Sequence, residues 1–353
     1  MTILGIETSC DETAAGVVVD GRRLLSNVVA SSMDLHAKFG GVVPEIAARS
    51  HIEAIIPVIK QALADANCTW NDIDAIAVTY GAGLGGSLLI GVLAARTLAI
   101  VKRKPLYAVN HVEGHLCVNF LTETTLPGFA MRNSQPEFPI LGIIVSGGHS
   151  QLMSFRDHFD YTLLGQTQDD AVGEAFDKVG KILGLPYPGG VNVSKLATSG
   201  DAHAFQLPKA KMPGKYGFSF SGLKTAVLRL AQTQVGADFT LPSTELPERL
   251  NDAQKADIAA SFQRIAVETI VDKAVLACKE FQPKSVIIGG GVAANIELRR
   301  LLNERLTLPV EFPDTKLCGD NGAMIATLGC FKAASNQPQA DAFSLEIAPN
   351  LSM

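Results

Sequence analysis

The chain has 353 residues, 47% of them hydrophobic and 18% charged, with 32 glycines. That length and composition fit about two well-packed α/β domains and exclude a disordered or fibrous protein. A formal net charge of −5 excludes bulk attraction to nucleic acid, so such a partner would need a local basic patch or a further subunit.

The N-terminal "MTILGIETSCDET" lacks a basic region and a long apolar run, so it is not a signal peptide. Residues 3–19, "ILGIETSCDETAAGVVV", form an apolar run, a small-residue turn and a second run rich in β-formers, which predicts a β-hairpin. An amphipathic helix follows over 50–66, with Ile52, Ile55, Ile56, Ile59 and Leu63 on one face. Residues 72–99 read as strand, glycine-rich turn and helix. The greasy run 87–101 is short for a membrane span and carries Arg96, so it reads as a buried helix, and no membrane association is expected. "NHVEGHLCVNF" (110–120) places His111 and His115 four apart in an apolar run. Residues 122–139 are aperiodic and make a boundary. The order then repeats: a hairpin over 140–155, an amphipathic helix over 256–281, and a strand, glycine turn and helix over 284–306, with an irregular surface loop at 232–252. The repetition predicts duplicated α/β domains, 1–135 and 136–353, with a ligand cleft between them and the C-terminal helix able to pack back on the first. Six scattered cysteines without a C-x-x-C pair fit reduced thiols in a cytoplasmic protein.

Glycine turns before helices bring backbone N–H groups to an anion, and there are four: 80–87, 145–149, 187–190 and 289–295. Gly81, Gly83 and Gly86 spell G-x-G-x-x-G, but the next strand ends in Asn110 and His111 where a dinucleotide fold places an acid, so the dehydrogenase reading is weak. "FSFSGLKTA" (218–226) lacks the upstream glycine of a P-loop. On a helix, His111 and His115 are spaced to share one ion, although an unaided pair of this kind is more often structural. H-V-E-G-H sets Glu113 in the wrong place for the metalloprotease H-E-x-x-H. Asp320, in a Gly/Asn turn before a small-residue helix, is by default an N-cap and otherwise a third ligand. Two histidines and a carboxylate would leave open positions suited to Fe²⁺ or Zn²⁺.

The segments "GIETSCDET", "GGVVPE", "HVEGH", "VSGGH", "GEAFDKVGKILGLPYPGG", "FSFSGLKTA", "GGGVAAN" and "DNGAM" occur in order from residue 5 to residue 324. With them the chain resembles the TsaD family of bacterial tRNA N6-adenosine threonylcarbamoyltransferases, once classed as glycoproteases. The resemblance implies the actin/Hsp70/sugar-kinase fold. It also implies transfer of a threonylcarbamoyl group from threonylcarbamoyl-AMP to N6 of the adenosine 3′ of the anticodon, in tRNAs reading codons that begin with A. By position, His111, His115 and Asp320 match the family's metal ligands, with one divalent ion, Fe²⁺ first and Zn²⁺ second. Ile144, Val145, Ser146, Gly147 and Gly148 match its substrate loop, together with Asp177, Gly190 and Asn295. Asp11 and Glu12 match an acidic pair with a catalytic role. Ala82 and Gly319 stand where the family usually has Pro and Thr, and neither removes a ligand. The family further implies a TsaB-like paralogue and a TsaE-like ATPase as partners. Candidate tRNA contacts are Lys102, Arg103 and Lys104, and Lys209, Lys211, Lys215 and Tyr216, each run also readable as solvated surface. A kinase of the same fold and a non-catalytic scaffold are the competing readings. The first would hold its metal through acids and nucleotide phosphates rather than a His pair.

Overall fold

The computed structural model describes all 353 residues. Met1–Pro136 and Glu311–Met353 form one compact unit, and Glu137–Val310 form a second.

The first unit opens with β1 (Thr2–Glu7), β2 (Glu12–Val19), β3 (Arg23–Ser31), the short helix α1 (Met33–His36) and α2 (Pro44–Asp65). It continues through β4 (Ala75–Gly81), α3 (Gly85–Lys102), β5 (Leu106–Asn110), α4 (His111–Cys117) and β6 (Glu123–Thr124). The second unit holds β7 (Ile140–Val145), β8 (Ser150–Asp157), β9 (Asp160–Gln166), α5 (Val172–Ile182), α6 (Gly189–Ala197), α7 (Ser221–Gln234), α8 (Leu246–Arg249), α9 (Asp252–Phe281), β10 (Ser285–Gly289) and α10 (Ile296–Arg305). The chain then re-enters the first unit with α11 (Gly322–Ala334).

The first sheet runs β5-β4-β1-β2-β3-β6 and the second β10-β7-β8-β9. In each, the opening strand lies antiparallel to its hairpin mate and parallel to the strand that follows the amphipathic helix, as β1 does between β2 and β4, and β7 between β8 and β10. The duplication read from the element order is therefore the architecture. Central strands covered on both faces need apolar side chains at every position. β7 is accordingly ILGIIV, buried throughout.

Alternation along the first sheet decides which helix covers which face. Leu4, Ile6, Ala15 and Val17 join Ile55, Ile59 and Leu63 of α2 and Val92, Ala95 and Ala99 of α3 in one core. On the opposite face, Gly5 and Gly16 meet the backbone of α11: a Cβ on Gly5 would lie 2.3 Å from the Ala326 nitrogen. Gly322 answers from the helix side, where a Cβ would fall 2.2 Å from Ala15 carbon and Gly16 nitrogen. Glycine against glycine lets α11 lie directly on the sheet. That close approach lies within the first unit, which includes Glu311–Met353.

Two helix readings need correction. α2 starts earlier than residue 50, at Pro44, whose fixed φ suits the first helical position. Its face is also split: Ile55, Ile59 and Leu63 are buried, whereas Ile52 and Ile56 are exposed. α3 is not a buried helix. It is long and apolar enough to cross a membrane by composition, yet only one face packs on β4 and α2, while Leu89, Leu93, Ile100 and Val101 face solvent. The loop at 232–252 likewise begins as the end of α7 and later turns into α8, with Leu246 buried.

Candidate functional site

β5 delivers the histidine pair. Asn110 at its end turns its side-chain oxygen back to the Val112 and Glu113 N–H groups and so caps α4. His111 and His115 then lie one turn apart, their ring centroids separated by 4.7 Å. Gly114 lies between them against Met324 and Ile325 of α11, where a Cβ would come within 3.2 Å of Ile325. α11 thereby comes close to α4 and brings Asp320 with it.

The N-cap of α11 is Asn321, whose side chain accepts from Met324 N–H. Asp320 is thus released from the capping role that its turn suggests by default. Its Oδ1 lies 3.4 Å from Nε2 of His115 and 3.7 Å from Nε2 of His111. One ligand atom from each of the three residues falls within 4.8 Å of the others, a group fit to hold one metal ion.

Glu7 lies behind this group and is wholly buried. It accepts from Ser9 N–H and the Thr79 hydroxyl, and its Oε2 is 3.2 Å from Nδ1 of His111. Ser9 Oγ is 3.0 Å from the same nitrogen. Burial opposes a charge on Glu7, yet the His111 charge and these hydrogen bonds hold its pKa near 2. A carboxylate on Nδ1 fixes the ring orientation and, in the neutral imidazole a metal ion would require, the tautomer that leaves the Nε2 lone pair for the ion. Sequence reasoning placed Glu7 in a motif but gave it no role; it is one β-strand and more than a hundred residues from its partner, so no local spacing could reveal the contact.

The surrounding charge is strongly anionic. Burial, opposed by His111 and reinforced by Glu7 and Asp11, raises Asp320 to about 6. Burial, Asp320 and Asp11 raise Glu12 to about 9, while burial opposes but Asp320 and Glu7 lift His111 to about 9. Crowded acids that resist ionisation beside two imidazoles are the donor set a divalent cation would relieve. Asp11 and Glu12 thus sit within electrostatic reach of Asp320, with Glu12 also accepting from the Ser31 hydroxyl.

The second unit holds a cavity of ≈ 840 Å³ lined by Gly147, Asp177, Gly190 and Asn295 among others. Of the predicted loop, Ser146 to His149 closes a tight turn, with Ser146 N–H donating to His149 oxygen and His149 N–H to Ser146 Oγ. Gly147 and Gly148 face open space. The side chains of Ile144 and Val145 are buried, so only their main chain could serve a ligand. Asp177 Oδ1 accepts from Gly190 N–H at the start of α6, and the neighbouring Lys178 bridges Asp170 and Glu174. Gln263 and Ser194 also line the cavity and were not singled out from sequence.

The glycine turn at 80–87 is not an anion cradle. Gly83 N–H donates to Pro349 oxygen and Leu84 N–H to Ser9 oxygen, and the C-terminal segment packs over Gly81 and Gly85. The two basic runs also differ. Lys209 pairs with Glu268 and Asp272, and Lys215 and Tyr216 both bond Glu280. Lys102 instead stacks over Trp70 at the end of α3, beside Arg103 and Lys104.

A family model described as TsaD: tRNA N6-adenosine threonylcarbamoyltransferase matches residues 23–327. A tRNA N6-adenosine threonylcarbamoyltransferase of Thermomicrobium roseum is 50% identical over 333 residues, covering 92% of this chain and 90% of that protein. The protein of the same description from Dehalococcoides mccartyi is 46% identical over 353 residues, covering 100% and 99%. Among solved structures, full-length HypF in its phosphate- and nucleotide-bound form aligns with a TM-score of 0.58 at 14% identity, covering 95% of this chain and 56% of that one, which bears on fold alone. The repeated α/β units define the class, a duplicated α/β fold shared with HypF. Within that class, the chain belongs to the TsaD family of tRNA N6-adenosine threonylcarbamoyltransferases. It is an acyltransferase that acts on tRNA, which removes the kinase and scaffold readings.

Proposed function

We propose that His111, His115 and Asp320 hold one divalent ion, Fe²⁺ before Zn²⁺, and that the second unit's cavity takes the nucleotide part of threonylcarbamoyl-AMP. The observation that carries this reading is the convergence of two Nε2 atoms and one carboxylate oxygen in an anionic pocket. Two imidazoles and a carboxylate suit Fe²⁺ or Zn²⁺ better than Mg²⁺, which favours oxygen ligands. Such an ion would supply Lewis-acid stabilisation of negative charge during acyl transfer.

The chain's own groups do the positioning. Gly147 and Gly148 offer N–H groups and close backbone approach, Gly190 offers close approach because its N–H is given to Asp177, and Asp177 and Asn295 order the cavity wall. The donor is a mixed anhydride, so no protein nucleophile is required. The adenosine N6 forms a bond to the carbamoyl carbon, the bond from that carbon to the phosphate oxygen breaks, and AMP leaves. The proton lost by N6 passes to a carboxylate of the Asp11 and Glu12 pair.

In this reading the protein works in the cytoplasm, with Lys102, Arg103 and Lys104 as the tRNA contact of this chain. A TsaB-like paralogue covers the exposed Ile52, Ile56, Leu89 and Leu93 of α2 and α3, a patch a monomer rarely leaves bare, and a TsaE-like ATPase completes the system. The test is reconstitution with partners, adenylate donor and tRNA, quantifying modified nucleoside. His111→Ala should lose transfer and bound metal together with an unchanged circular dichroism spectrum. A fully active, metal-free His111→Ala protein would overturn the proposal.

A further inference from the structure

The cavity of the second unit has apolar side chains at its rim: Val191 is 67% exposed and Ile296 82%. Flat, weakly polar ligand surface suits such walls, and the polar side chains among them read the polarity of what enters. Three of them, Asn295, Ser194 and Gln263, form one chain of hydrogen bonds whose direction the fold dictates.

Asn295 is the N-cap of α10, and its Oδ1 accepts from Leu298 N–H at 2.9 Å. A main-chain N–H can only donate, so this contact fixes which end of the amide is oxygen. Nδ2 therefore faces away from the helix and donates to Ser194 Oγ at 2.8 Å and Gln263 Oε1 at 3.0 Å. Both its hydrogens are used. Gln263, buried within α9, must in turn show its oxygen to Asn295. Its Nε2 is left as a donor without a protein acceptor, on a residue that lines the cavity.

We propose that Gln263 Nε2 donates to a ring nitrogen of the adenine base bound in this cavity, and that Asn295 is the positioning residue that fixes this polarity. The inference rests on the nucleotide reading of the cavity given above. A donor left unmet on a largely apolar wall is unfavourable until a ligand acceptor satisfies it. Each ring nitrogen of adenine outside the glycosidic bond offers only an acceptor, so an amide showing Nε2 fits and one showing Oε1 does not.

The test measures binding of ADP and its 1-deaza, 3-deaza and 7-deaza analogues to the purified full-length chain by calorimetry. One analogue should bind about 3- to 10-fold more weakly than ADP, the value of one net hydrogen bond. In Gln263→Ala that deficit should vanish, all four ligands binding alike. Asn295→Asp keeps an oxygen for the helix cap but shows a second oxygen to Gln263, which turns the glutamine amide over. This variant should keep its unfolding temperature, weaken ADP and lose the discrimination. Equal binding of all four by the wild type overturns the proposal, as does discrimination that survives either substitution. Absence of ADP binding to the wild type would instead overturn the nucleotide reading, and this inference with it.

Discussion

In the first unit, ionisable side chains crowd around His111 and His115: burial with Glu7 and Asp11 raises Asp320, and burial with Asp320 and Asp11 raises Glu12. The cavity of the second unit has glycine, apolar carbon and amides on much of its wall, and its key polar contacts are an N-cap and a capped helix turn. The first arrangement stores its chemistry in charge and the second in shape and hydrogen-bond direction. They should therefore fail differently: the first on loss of a single charge with the fold intact, the second on the reversal of a single amide.

The sharpest break comes from Asp320→Ala. Removing the only carboxylate among the three candidate ligands should lower Fe²⁺ affinity more than about 100-fold, beyond the 10- to 100-fold range typical of outer partners, and abolish transfer. Because Asn321, not Asp320, caps α11, the unfolding temperature should barely move. Metal titration followed by thermal unfolding checks both halves. A large loss of stability would mean that Asp320 is structural after all.

Next in size is Gly322→Ala. A methyl there would press on the backbone of Ala15 and Gly16 at 2.2 Å, where no flexible side chain can give way. Overpacking of this kind costs about 3 kcal/mol, the upper part of its usual range, and should appear as a lower urea midpoint at unchanged slope. Since α11 carries Asp320 toward α4, metal affinity should fall as well. Stability lost without any change in metal binding would show that the close approach of α11 does not position the carboxylate.

Glu7→Gln separates charge from shape. The amide can still occupy the space and accept from Ser9 N–H through its one oxygen, but the NH₂ that replaces Oε2 neither accepts from Thr79 nor presents an anion to His111. Fe²⁺ affinity should fall about 10- to 100-fold, less than for Asp320→Ala, and the electronic spectrum of the Co²⁺-substituted protein should shift. An unaltered affinity and spectrum would leave Glu7 with only a packing role.

These residues also mark where the sequence was legible. The histidine spacing could be read because four residues make one helical turn, and the repeated hairpin, helix, strand and glycine turn could be read because each element has its own period. Asp320 was visible as a turn aspartate, but its release from capping depends on Asn321 taking that role, which spacing alone does not decide. Glu7 and Gln263 were hidden for a different reason. Glu7 ends an apolar strand and Gln263 is one of several polar residues of an amphipathic helix, and each acquires meaning only from a partner brought in by tertiary packing. The turn at 80–87 misled in the opposite direction: its glycines suggest an anion site, but they serve the close passage of the C-terminal segment.

The smallest effect contrasts imidazoles rather than carboxylates. His111 is pushed up to about 9 because acids outweigh its burial. His158, at the turn between β8 and β9, packs edge-on against Phe138 with ring centroids 5.0 Å apart, and burial lowers its pKa against a weaker pull from Asp157. The sign follows from which state binds the proton more readily. Below the ordinary histidine value of 6.5 the unfolded chain takes up a proton that the folded turn resists, so this residue stabilises the fold above that pH and less as pH falls toward the depressed folded value. Urea unfolding at pH 7.5, 6.5 and 5.5 should show a shallower acid-side loss in His158→Phe than in the wild type, by less than about 1 kcal/mol. Parallel pH profiles for the two proteins would mean that His158 protonates as readily folded as unfolded, and that burial outweighing the pull of Asp157 does not set His158 apart from His111.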